Sequence, residues 1–252
     1  MSHHIIEAKD LHYIYPDKTV ALKGINFSIT HGESVAVLGE NGAGKSTLLM
    51  HLNGSLLPTS GEICIGHLPI TKKNLPTIRQ NVGMVFQNPD DQLFMATVFD
   101  DVAFGPLNLG LDDKEVLARV DEALSRVGLL HLKERPPYHL SGGEKRRIAI
   151  ASVLSMYPKV LAMDEPSSDL DPKSRRMLIE LLNSFEHTKI IASHDLDLIA
   201  EVCERTLIIF DGKVEADGAT TEIFKDKALL KRCSLEQPLS MQNWSICNPM
   251  KS

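Results

Sequence analysis

Short apolar runs punctuated by glycine-rich turns, with a long stretch of helical spacing between them, set the pattern of this chain. Ile25, Phe27 and Ile29 alternate with polar neighbours, the period of two expected of a strand covered on one face. Ser34, Val35, Ala36, Val37 and Leu38 instead run continuously up to Gly39, which suits a strand buried on both faces of a parallel sheet. The turn that follows predicts a helix over 44–53, and bracketed apolar runs predict strands over 61–66 and 82–86. From Asp90 to Tyr157 the pattern turns helical, with Val116, Leu117, Val120, Leu124 and Val127 giving one apolar face. Strands return over 160–163, 189–193 and 207–210, separated by helices over 175–185 and 196–203.

Strands alternating with helices predict an α/β fold with a doubly wound, mostly parallel sheet, into which the helical stretch is inserted. A length of 252 residues suits one large domain of this kind. The net charge of −6 argues against nucleic acid as a partner, because that affinity rests on clustered Lys and Arg. Cys64, Cys203, Cys233 and Cys247 show no CxxC spacing, so neither a disulfide framework nor a zinc site is expected. No apolar run approaches the roughly 20 residues of a membrane-spanning helix, and Met1 to Glu7 does not read as a signal peptide. Beyond Gln237 the pattern is weak and predicts an irregular tail.

The chemistry begins at Gly39-Glu40-Asn41-Gly42-Ala43-Gly44-Lys45-Ser46-Thr47, a GxxxxGK[ST] motif placed between a strand and a helix. Glycines allow the loop to turn backbone N–H groups inward around phosphate oxygens, and the helix start adds partial positive charge. Lys45 brings a full charge to the β- and γ-phosphates, and Ser46 a hydroxyl for Mg²⁺. Alone, this motif says only nucleotide triphosphatase. Val160 to Met163 then delivers Asp164 and Glu165 to the carboxyl end of a buried strand, where ligands of such sheets sit. Asp164 suits the Mg²⁺ shell, and Glu165 is placed to polarise an attacking water. Leu140-Ser141-Gly142-Gly143-Glu144 precedes a helix expected over 145–157 and forms a second anion-accepting helix start.

These segments, with Gln87, Ser168-Asp169-Leu170-Asp171 and His194, fall in the order found in ABC-transporter ATPases, and the chain resembles that family over roughly residues 5–230. The resemblance implies a P-loop NTPase core of 1–88 and 158–235 with an antiparallel N-terminal β lobe. It implies a helical subdomain over 89–157 and a tail over 236–252. It further implies that Gln87 links the Mg²⁺ and water region to the helical subdomain, that Asp169 and Asp171 belong to a loop between subunits, and that His194 contacts the γ-phosphate. Tyr15 is positioned like the family's adenine-stacking aromatic. In this family Ser141, Gly142, Gly143 and Glu144 of one subunit close over ATP held by its partner, so a second copy, most simply an identical one, completes each site. ATP binding closes the dimer and hydrolysis reopens it.

The stretch from Gln87-Asn88-Pro89-Asp90-Asp91-Gln92-Leu93-Phe94 to Gly110, together with Glu144-Lys145-Arg146-Arg147, is similar to the energy-coupling-factor importers, above all the ATPases of cobalt and nickel uptake. That resemblance implies a prokaryotic origin and a place on the cytoplasmic face of the membrane. It implies a membrane coupling subunit docked on this region, with Asp90, Asp91 and Gln92 exposed and Leu93, Phe94 and Val98 in apolar contact. A separate membrane subunit would bind the cargo. The ten histidines show no ligand spacing, and the ATPase is not expected to touch the transported ion. A vitamin or biotin importer driven by the same engine stays open for the same reason. Loss of Glu165 or His194 would mark a non-hydrolysing cassette, and both are present. A DNA-repair or translation ATPase would need a coiled-coil insertion or second cassette, and the chain shows neither. Some relatives carry a further dimerising segment, whereas this sequence stops soon after Pro238, so dimerisation without ATP is not expected to be permanent.

Overall fold

The computed structural model describes residues 4–242. A four-stranded antiparallel sheet is built from β1 (His4–Ile14), β2 (Val20–Thr30), β4 (Ser60–Ile65) and β5 (Leu68–Pro69), in the order β2-β1-β4-β5. The second sheet has six strands: β3 (Ser34–Leu38), β6 (Val82–Val85), β7 (Val160–Asp164), β8 (Thr188–Ala192), β9 (Arg205–Phe210) and β10 (Lys213–Ala219). Its order is β10-β9-β3-β8-β7-β6, parallel throughout except for the antiparallel edge strand β10.

The continuous apolar runs behave as a sheet buried on both faces requires. Every residue of β3, β7 and β8 is buried. Successive residues feed different cores: Val35 and Val37 pack with the β lobe and helix α1 (Lys45–Leu52), whereas Ala36 and Leu38 pack with the helical side. Helix α2 (Leu75–Asn81) joins the first core through Ile78. The second core takes in α3 (Val98–Asn108), α4 (Asp113–Arg126), α5 (Gly142–Leu154), α6 (Pro172–Ser184) and α7 (Leu196–Val202). It is closed at the far end by α8 (Thr220–Lys225) and α9 (Lys227–Arg232).

Three expectations need correction. Leu117 is exposed, because the apolar stripe of α4 runs through Val116, Val120 and Leu124 and leaves Leu117 on its solvent side. Helix α5 begins at Gly142, not Lys145, since Ser141 caps it. It ends at Leu154, short of Tyr157, which takes a positive φ of 53° ahead of Pro158. Three strands escaped the periodicity altogether, among them β5, whose two residues are too few to show one. In β1 the register slips between His4 and Ile6 and again between Ala8 and Leu11, so alternation is broken. Edge strand β10 carries few large apolar residues to mark it. The tail, as far as it is described, shows a short turn at Leu239–Met241, and Cys247 lies outside the described residues.

Candidate functional site

Parallel strands β3, β8 and β7 are neighbours, so their carboxyl ends bring three loops to one edge of the sheet. The loop after β3 is held tight. A Cβ on Gly39 would stand 2.2 Å from the carbonyl oxygen of Ile209, so the loop can approach β9 this closely only without a side chain. Gly44 sits at φ 110° as N-cap of α1, with no side chain bonded to the free N–H groups of the first turn. Such an uncapped start is an anion site in waiting. Lys45 is buried, and its Nζ donates to the carbonyls of Gly39 at 2.8 Å and Glu40 at 3.1 Å. The ammonium thus spans the mouth of the loop. Ala43 is buried beneath it, while Asn41, Gly42, Gly44, Ser46 and Thr47 line the cleft.

This cleft has a volume of about 410 Å³ and is completed by Tyr15, Thr19, Val20, Ala21, Gln87, Asp164 and Glu165. The Tyr15 hydroxyl lies 2.9 Å from Thr47 Oγ1, and its ring meets Tyr13 edge-on at 4.9 Å. Thr19, Val20 and Ala21 carried no sequence signal, since the end of a turn and the first residues of β2 have no motif of their own.

Asp164 is only 4% exposed. Burial pushes its carboxyl up, while a hydrogen bond from Ser46 and the charges of Lys45 and Arg146 pull the other way. Its Oδ1 is buried without a partner. An orphaned carboxylate oxygen costs stability unless something occupies it. With Ser46 and Gln87 lining the same cleft, the donor set is entirely oxygen, which fits a hard divalent cation such as Mg²⁺. No metal site made of three or more His, Cys, Asp or Glu occurs among the described residues.

Glu165 adopts φ 47°, a left-handed conformation that side chains disfavour. Its N–H donates to Ala192 O at 2.8 Å, and its Oε2 accepts from the N–H of His194 at 3.1 Å. His194 Nδ1 lies 2.7 Å from the same Oε2, while the histidine side chain is 74% exposed. Beneath the acids sits buried Arg146, whose Nη1 donates to Phe86 O at 2.9 Å. Burial lowers its pKa, and the charges of Asp169, Asp164 and Glu165 counter that. The sequence named Arg146 only within the 144–147 run and gave no sign of its place beside the acids.

The second glycine-rich helix start does not line the cleft. Ser141 is exposed and caps α5 through a complete capping box. Its Oγ accepts from Glu144 N at 3.3 Å, and Glu144 Oε2 accepts from Ser141 N–H and from Ser141 Oγ–H, each at 2.8 Å. The Glu144 carboxyl is held low by those bonds, the backbone one first. Gly142 and Gly143 leave open space or ordinary contact around them. Asp171 caps α6, its Oδ1 accepting from Lys173 N and Ser174 N.

Gln87 leads into a segment fastened to α5. Gln92 Oε1 accepts from Phe86 N at 3.2 Å, and its Nε2 donates to Ala149 O at 2.7 Å and Ser152 Oγ at 3.0 Å. Lys145 pairs with Asp90 at 2.6 Å. Leu93 and Val98 are buried in the core, contrary to expectation, because they anchor this segment and the start of α3. Of the three apolar residues expected here, Phe94 is exposed, and Phe104 and Leu107 add the apolar surface that Leu93 and Val98 do not, the two rings meeting edge-on at 5.3 Å.

Known proteins decide the family. Residues 22–168 match the ABC transporter family. The chain belongs to the ABC transporter ATP-binding family. It is an ABC-type ATPase and binds ATP. It is 62% identical to an ABC transporter ATP-binding protein of Geobacter sulfurreducens over 247 residues, 98% of this chain and 99% of that one. It is 49% identical to the energy-coupling factor transporter ATP-binding protein of Methanocaldococcus jannaschii over 93% of this ATPase and 86% of the relative. Among solved structures, cbiO1 of Clostridium perfringens, part of the ABC transporter complex cbiONQ, superposes with a TM-score of 0.79. The two share 43% identity, with 92% of this chain and 94% of that chain covered. Among the described residues of this ATPase, no helix is long and apolar enough to cross a membrane.

Proposed function

We propose that this chain is the ATP-hydrolysing subunit of an energy-coupling-factor type importer, carrying cobalt or nickel ions, that works on the cytoplasmic face of the membrane. The observation that carries the reading is a division of the site. The phosphate loop, Asp164 and Glu165 share one cleft, whereas the capped start of α5 stands exposed outside it. A single chain therefore holds half of what an ATP sandwich needs, and a second copy supplies Ser141, Gly142, Gly143 and Glu144.

Within the cleft, Gly39 to Thr47 cradle the phosphates, with Lys45 exchanging its loop carbonyls for the β- and γ-phosphate oxygens. Ser46, Asp164 and Gln87 would hold Mg²⁺, which when bound neutralises phosphate charge. Glu165 accepts a proton from the attacking water, and His194 turns from Glu165 to the γ-phosphate. Tyr15 stacks against adenine once its contact with Thr47 yields. Closure of the two copies on ATP and reopening after hydrolysis drives the transporter.

The working division is a nucleotide-binding core of 1–88 and 158–235 with a helical subdomain over 89–157, followed by the tail. A membrane coupling subunit docks on the helical subdomain, with Phe94, Phe104 and Leu107 as its apolar seat in place of Leu93 and Val98. A separate membrane subunit binds the ion, so the ATPase need not touch it. The likeness to cbiO1, part of the ABC transporter complex cbiONQ, supports a place in a transporter complex of that kind. Glu165→Gln is expected to retain ATP affinity, stall hydrolysis and accumulate an ATP-held dimer on size-exclusion chromatography with Mg-ATP. A variant that stays monomeric and active would overturn the reading.

A further inference from the structure

Arg175 stands in the first turn of α6, directly behind the loop that runs from Glu165 to Asp171. Its guanidinium grips Asp195 with two bonds, Nε to Oδ2 at 2.6 Å and Nη2 to Oδ1 at 2.8 Å. Asp195 is the N-cap of α7, its Oδ1 also accepting from Leu198 N at 2.9 Å, and it immediately follows His194. Its own N–H donates to Ser193 Oγ at 3.0 Å. Burial would push the Asp195 carboxyl up, but Arg175 and the Leu198 N–H outweigh it and hold the group low.

Two loops are thus tied together twice. The upper tie joins Glu165 to His194 at the mouth of the cleft. The lower tie joins Arg175, in the helix that ends the Glu165 loop, to Asp195, which follows His194. We propose that Arg175 and Asp195 are positioning residues for hydrolysis, fixing the Glu165 loop and the His194 loop as one unit. The upper tie must open if His194 is to reach a nucleotide, and the lower one then sets where Glu165 and His194 stand. A two-bond fork between planar groups fixes orientation as well as distance, which a lysine in its place cannot do.

The proposal rests on the ATPase reading, and the experiment separates the two. Arg175→Lys keeps the charge and loses the fork; Asp195→Asn keeps an N-cap oxygen for Leu198 and loses the charge. In the full chain, each is expected to lower kcat about 10- to 100-fold. KM and calorimetric ATP affinity stay within about twofold, because neither residue lines the cleft. The double variant is expected to be no slower than the worse single one, as for two halves of one device. Unchanged kcat in both variants, losses that multiply in the double variant, or affinity falling in step with kcat would each overturn the assignment. A wild-type chain that neither binds nor hydrolyses ATP would instead sink the reading beneath it.

Discussion

Helices α1 and α5 both start from glycine-rich turns, yet the two starts are in opposite states. At α1 no side chain caps the first turn, and the Lys45 ammonium is parked on carbonyls of its own loop. At α5 Ser141 and Glu144 cap one another, so the chain's own carboxylate holds the Ser141 hydroxyl and N–H. The difference teaches that a helix start kept open needs a cation close by and a cleft around it. A start can also be stable alone by carrying its own anion, as that of α5 does. For α5 to receive a phosphate, Ser141 must therefore let go of Glu144.

The sharpest way to break this comparison is Ser141→Arg. Each chain should still bind ATP, since α1 is untouched, but turnover should fall to background because the long cation fills the partner's γ-phosphate position. Mixing it with Lys45→Ala protein should restore at most one competent site per dimer. Normal hydrolysis by Ser141→Arg alone would show that the sites are not shared. Lys45→Ala attacks the other start. Removing a charged partner of the phosphates should weaken ATP affinity by roughly 10- to 100-fold, the equivalent of about 1.4–2.8 kcal/mol, measured by calorimetry. Unaltered affinity would count against the phosphate-loop reading. The smallest effect is reserved for the self-capped start. Because Glu144 is held low, its contribution is present above the ordinary carboxylate value and is lost as pH falls through the lowered one. Glu144→Gln preserves the box, so stability at neutral pH should change by less than about 0.5 kcal/mol. Its thermal midpoint should also fall less on acidification than that of the wild type, and an identical acid profile would deny Glu144 this role.

The sequence already carried whatever depends on local order. Buried strands ending in Gly39 and Asp164, and the loops they deliver, could be read because apolar runs and glycine spacing are contiguous. What escaped depends on contacts across the fold. Arg146 beneath Asp164 and Glu165, Asp195 in the grip of Arg175, and the displacement of the exposed apolar patch from Leu93 to Phe104 and Leu107 all join distant positions. Nothing in the spacing of any one of them announces its partner. The slips in β1 were hidden for a related reason, since register is a property of two strands and not of one.

Glu165 occupies a backbone conformation that glycine would adopt freely. Two truncations that erase its carboxylate alike should part company on heating: Glu165→Gly is expected to outlast Glu165→Ala by about 1 kcal/mol, read from denaturant unfolding. Random drift judged on folding alone would carry this position toward glycine. An acid in its place costs the fold what glycine would save, the trade expected if this carboxylate serves turnover.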